Sequence, residues 1–97
     1  MTTLTRTYVR PNTTVAFPQI TNSAAVRAHI TAVYRTASPK LLSTSMSVSP
    51  DQLTMTAVST FANDAAKAEY LADSVLAADI AARNAYCAAN GITVSQA

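Results

Sequence analysis

Residues 41–61, LLSTSMSVSPDQLTMTAVSTF, decide the fold. The stretch alternates from Leu41 to Val48, turns at Ser49-Pro50-Asp51-Gln52, and alternates again from Leu53 to Phe61. A period of two marks β-strands, because successive side chains point to opposite faces. Pro50 occupies the second position of a type I turn, where its fixed φ already fits. The two strands therefore form a hairpin. Leu42, Thr44, Met46 and Val48 share one face of the first strand, and Leu53, Met55, Ala57, Ser59 and Phe61 share one face of the second. Thr54, Thr56 and Thr60 line the opposite face, which is left available to a second sheet.

Beyond the hairpin, Asn63 or Asp64 caps a helix whose positive end is complemented by Asp64 and Glu69. Tyr70, Leu71, Val75 and Leu76 form an apolar cluster, and Asp73-Ser74 reads as a kink or restart. The second segment carries Leu76, Ile80, Arg83, Tyr86 and Cys87. It stops at Asn90-Gly91, the chain's one glycine, a C-cap signal. Ile92-Thr93-Val94 reads as a short last strand.

Before the hairpin, Val26, Ile30 and Val33 recur at helical spacing, with Ala25, Tyr34 and Ala37 widening the stripe. Thr21-Asn22-Ser23 offers N-caps, and Pro39 bars continuation. His29 sits off the stripe and reads as a half-exposed surface histidine with no polar partner. Val15 and Phe17 lie between Pro11 and Pro18 in an extended loop, with Phe17 a plug over one end of the core or, if exposed, a contact residue. Thr3 to Arg10 alternates, with Leu4, Arg6 and Tyr8 opposite Thr5, Thr7 and Val9, and reads as the first strand. The order β-α-β-β-α(-β) predicts an α+β fold of ferredoxin-like pattern, an antiparallel sheet with helices on one face. Residues 1–97 make one domain with extended ends.

Apolar residues reach 49%, yet many are alanine, and tryptophan is absent. Each alanine contributes little buried area, so the core is thin and further burial between copies is expected. Only 12% of residues are charged, which leaves a Ser/Thr-rich surface that resists association poorly. The charges segregate. Arg6, Arg10, Arg27, Arg35 and Lys40 meet no acid in residues 1–40, whereas Lys67 and Arg83 face five acids in 41–97. Cations scattered in this way do not make a nucleic-acid footprint, so no such partner is expected. The single Cys87 excludes an intrachain disulfide and suits a small buried filler. No secretion signal or hydrophobic span is visible, and the expectation is a soluble protein of a virion or of the host cytoplasm, without membrane contact.

Chemistry is hard to find. One glycine excludes a phosphate-cradling loop, and one His with one Cys makes no metal set. Asp73 and Asp79 stand six apart, off a common helix face, and a serine nucleophile would have only His29 as base. No catalytic residue, metal or cofactor is expected.

Leu53-Thr54-Met55-Thr56 leading to Phe61, then Asn63-Asp64-Ala65, Glu69-Tyr70-Leu71-Ala72-Asp73 and a helix with Arg83-x-x-Tyr86, resembles the antibiotic-biosynthesis-monooxygenase type of dimeric α+β barrel over about residues 3–92. That resemblance implies sheet-to-sheet dimers across the threonine face, and in some members cofactor-free oxidation of aromatics. The Thr/Ser/Ala-rich, charge-poor texture is also similar to small proteins of tailed bacteriophages, virion components included.

These readings favour a non-catalytic, homo-oligomeric structural protein of a phage virion or its accessories. Arg6, Arg10, Phe17, Thr54 and Thr56 are its candidate interaction residues, and other virion proteins its further partners. The alternative is a monooxygenase-like enzyme with Tyr34, His29 and Tyr86 around a pocket for a small aromatic substrate.

Overall fold

Ser49 and Asp51 build the hairpin turn. The computed structural model describes residues 2–18 and 24–97. In it, strands β2 (Leu41–Val48) and β3 (Thr54–Phe61) flank a turn closed by the Gln52 N–H donating to the Ser49 carbonyl at 2.9 Å. The Asp51 carboxylate accepts from the Ser49 hydroxyl and from the Leu53 N–H, and both contacts hold its carboxyl below the usual range. Gln52 takes φ 62°, a left-handed conformation uncommon outside glycine. Its carbonyl accepts from Arg10 Nε at 2.7 Å, so a second segment holds it there.

The remaining elements are β1 (Thr2–Val9), α1 (Ala24–Val33), α2 (Asp64–Ala72), α3 (Ser74–Ala89) and β4 (Thr93–Gln96). The N-cap candidates Thr21-Asn22-Ser23 lie outside the described residues. Asn63 caps α2 by accepting the Ala66 N–H at 2.8 Å. The kink expected at Asp73-Ser74 is a full break: Asp73 leaves the helical region at φ −70°, ψ 120° and caps α3 through the N–H groups of Val75 and Leu76. At the far end Gly91 takes φ +70° and the Ile92 N–H donates back to the Cys87 carbonyl at 2.9 Å, as a glycine C-cap requires.

Helix α1 is shorter than its apolar stripe. The N–H groups of Tyr34 and Arg35 both donate to the Ile30 carbonyl, at 2.8 and 3.1 Å, so the helix ends on a wider i→i−5 bond and does not add a further α-helical turn. The Tyr34 carbonyl then accepts from Lys40 and Leu41. The chain leaves the helix well before Pro39, and Ala37 lies in the connection.

The four strands form one antiparallel sheet in the order β2-β3-β1-β4. Arg6 stands opposite Ala57 and Leu4 opposite Ser59, while Thr5 exchanges hydrogen bonds with Ala97. An irregularity between Leu41 and Ser43 shifts the edge strand by one residue, so Leu41 turns inward opposite Phe61. Leu4, Val26, Tyr34, Leu41, Phe61, Ala66 and Leu76 form the larger core cluster. Tyr8, Met55, Cys87 and Ile92 form the smaller. Both lie on the side of the sheet that carries the helices. The fold is α+β, a four-stranded antiparallel sheet with three helices, compatible with the ferredoxin-like pattern.

Candidate functional site

The inner face of β3 reads Met55, Ala57, Ser59, Phe61, with large side chains at its ends and small ones in the middle. Opposite the small pair, β1 contributes Arg6 between Leu4 and Tyr8. Neither Ala57 nor Ser59 fills the space beneath the helices, and a cavity of about 390 Å³ opens there. Leu4, Ile30, Leu41, Leu76 and Ile80 supply apolar wall. Arg6, Arg27, Arg35 and Arg83 also line it, against Asp79 as the lone carboxylate.

The arginines differ in what they touch. Arg83 pairs with Asp79 one turn earlier on α3 at 2.8 Å, so that carboxylate is already neutralised. Arg35 reaches across the cavity mouth toward the Thr44 hydroxyl at 3.4 Å. Arg6 is 8% exposed, and among the described residues its guanidinium has neither an ion pair nor a hydrogen bond. The next inward side chain on β1, Tyr8, has a fully buried hydroxyl that also lacks a partner. Arg6 further borders a second hollow of about 400 Å³ between α3 and β4. Burial pushes the Tyr70 phenol up, while the charges of Arg6 and Arg83 pull it the other way.

A second polar cluster closes one end of the core. Asp73 Oδ2 accepts from the Tyr34 hydroxyl at 2.7 Å and lies 2.6 Å from His29 Nε2. The His29 contact first, then Tyr34, holds the Asp73 carboxyl down at about 2. Burial and the same hydrogen bond push the Tyr34 phenol well above its ordinary value. His29 is thus no lone surface histidine; its partner lies 44 residues away. Tyr34, Tyr70 and Phe61 pack edge to face, with ring centroids 5.2 and 5.1 Å apart. Tyr86 is remote from this cluster and donates to the Ala16 carbonyl at 2.7 Å. Tyr34, His29 and Tyr86 do not converge, and none of them lines the arginine-rich cavity. Tyr34 and His29 are committed to tying α1 to the α2–α3 break.

The five candidate interaction residues separate in the same way. Arg6 points inward, not to the outer surface. Arg10 donates to the Gln52 and Val15 carbonyls and stacks over the Phe17 ring at 4.2 Å. Phe17 packs on the smaller core cluster, so it is a plug. Thr54 and Thr56 lie half-buried on the outer face of the sheet, beside Thr3, Thr5 and Thr7 of β1. Ser43, Ser45 and Ser47 continue that face along β2, and it carries no charged side chain on any strand. What sequence reading missed is the cavity, whose one signal was an arginine at an apolar-face position.

No known protein family matches this chain, and no curated protein or solved structure does either.

Proposed function

We propose that the protein is a non-catalytic, self-associating interaction protein whose outer sheet face docks on the same face of a second copy. One observation carries this reading: the outer face is rich in hydroxyls, broken only by apolar side chains such as Val9 and Val58, uncharged and without a covering layer among the described residues. Serine and threonine donate and accept alike, so such a surface is complementary to itself under a two-fold axis. A thin core gains from the added burial. The strand order supports a ferredoxin-like assignment, and the Thr/Ser-rich, charge-poor composition supports a place in a phage virion or its accessories. Light scattering across a concentration series tests the contact. The wild-type protein is expected to be a dimer and Thr56→Arg a monomer of unchanged fold, since a half-buried position on an uncovered sheet face lets a long arginine extend into solvent. A wild-type monomer, or a Thr56→Arg dimer, overturns it.

A second reading, a cofactor-free oxidase of small aromatics, is favoured by the size of the inner cavity, which falls within the range of ligand pockets. Oxygen uptake with a quinol substrate tests it, and a rate equal to that of buffer alone removes it.

A further inference from the structure

We propose that the cavity around Arg6 is a binding site for an amphipathic organic carboxylate, with Arg6 as the group that holds the acid. A largely buried guanidinium with no counter-ion is costly, because partial desolvation disfavours the charge. Arg6 is in that position: most of its side chain is buried in the middle of the sheet, and its nitrogens, bonded to no group among the described residues, stay open to the cavity. Arginine cannot discharge the cost by losing its proton. A ligand anion removes it, and the planar fork suits a carboxylate taken through two parallel hydrogen bonds. Asp79 does not repel such a ligand strongly, since Arg83 already neutralises it at 2.8 Å.

The remaining walls describe the rest of the molecule. Leu4, Ile30 and Leu76 offer apolar contact, and Tyr70 presents an aromatic ring. At about 30 Å³ per water, 390 Å³ holds an acid of roughly a dozen non-hydrogen atoms. A free inorganic anion would leave those walls unfilled. A nucleic-acid backbone is too long and polar for an inward-facing hollow. The site sits on a central strand paired on both sides, which keeps Arg6 in one place before the ligand arrives.

Amide chemical shifts followed by NMR test the assignment, using 4-phenylbutyrate, the neutral 4-phenylbutan-1-ol, and inorganic phosphate. The acid is expected to bind about 10- to 100-fold more tightly than the alcohol, as a charge-assisted hydrogen bond implies, and to move amides of β1, β3 and α3. Phosphate moves none of them. In Arg6→Met the acid should fall to the affinity of the alcohol, the alcohol should bind unchanged, and the ligand-free variant should melt higher than wild type. Ala57→Leu fills the hollow opposite Arg6 and should abolish binding of both compounds. Equal affinity for acid and alcohol, an Arg6→Met variant that keeps the acid, phosphate acting on the same amides, or no binding at all overturns the proposal. If Arg6→Met does not fold, Ala57→Leu decides: undiminished acid binding there overturns it equally.

Discussion

The two ends of the helix–sheet interface are closed by different means. At the Phe61 end, side chains from α1, α2, α3 and three strands interlock, and Asp73 pins α1 to the helix break. At the Tyr8 end, the sheet and α3 leave a gap that a loop fills, with Phe17 held by Arg10. One end is sealed by packed elements, the other by an insert. Between them lies Arg6, served by neither. Aromatic rings and their polar tie make a rigid end. A plug makes a replaceable one.

Three substitutions bear on that contrast. Phe61→Ala removes a fully buried ring against Tyr70 and should cost about 3–5 kcal/mol, most of the stability of a domain this small. Thermal melts will show it. A loss below about 1 kcal/mol would mean that the larger cluster is not the rigid end. Tyr34→Phe should cost about 1 kcal/mol at neutral pH, by losing the hydroxyl bond to Asp73. Its effect depends on pH in a defined direction. Asp73 is held at about 2 when folded, below the unfolded carboxylate value near 4, so its contribution is full above roughly pH 5 and disappears as pH falls toward 2. The wild-type and Tyr34→Phe melting temperatures should therefore converge in acid; a gap that stays constant down to pH 2 refutes the role of Asp73. Phe17→Ala should be mildest at about 1 kcal/mol, because the ring is only half-buried. Faster hydrogen exchange confined to the Tyr8 end is the accompanying sign. Exchange that rises equally at both ends would make the core a single unit.

Local features were legible in the chain. The hairpin at 41–61, the break at Asp73 and the stop at Asn90-Gly91 each rest on a few neighbouring residues whose backbone preferences agree. The inner and outer sides of β1 follow from the same kind of alternation. What was not legible depends on residues far apart. His29 and Tyr34 meet Asp73 only after α1 has folded over the sheet, and the small Ala57 and Ser59 border a hollow only once β1 has paired Arg6 and Leu4 opposite them. Arg6 alternates with Leu4 and Tyr8 and reads as an interaction residue until strand order puts it in the centre of the sheet. The end of α1 was misjudged for a similar reason, since its stripe continues while the Tyr34 carbonyl is taken by Lys40 and Leu41.

The strand that carries Arg6 is the first in the chain, yet both its partners come late in it. β1 sits between β3 and β4, and Thr5 exchanges hydrogen bonds with Ala97 at the other end of the sequence. Only the β2–β3 hairpin joins strands adjacent in the chain. Loop closure must precede every contact β1 makes with another strand, and such non-local pairing slows folding relative to a fold of local contacts. The hairpin of residues 41–61 is the natural nucleus. Arg6, opposite Ala57 on one side and Gln96 on the other, is enclosed only by partners distant in the chain, so its burial depends on long-range pairing and not on the local hairpin.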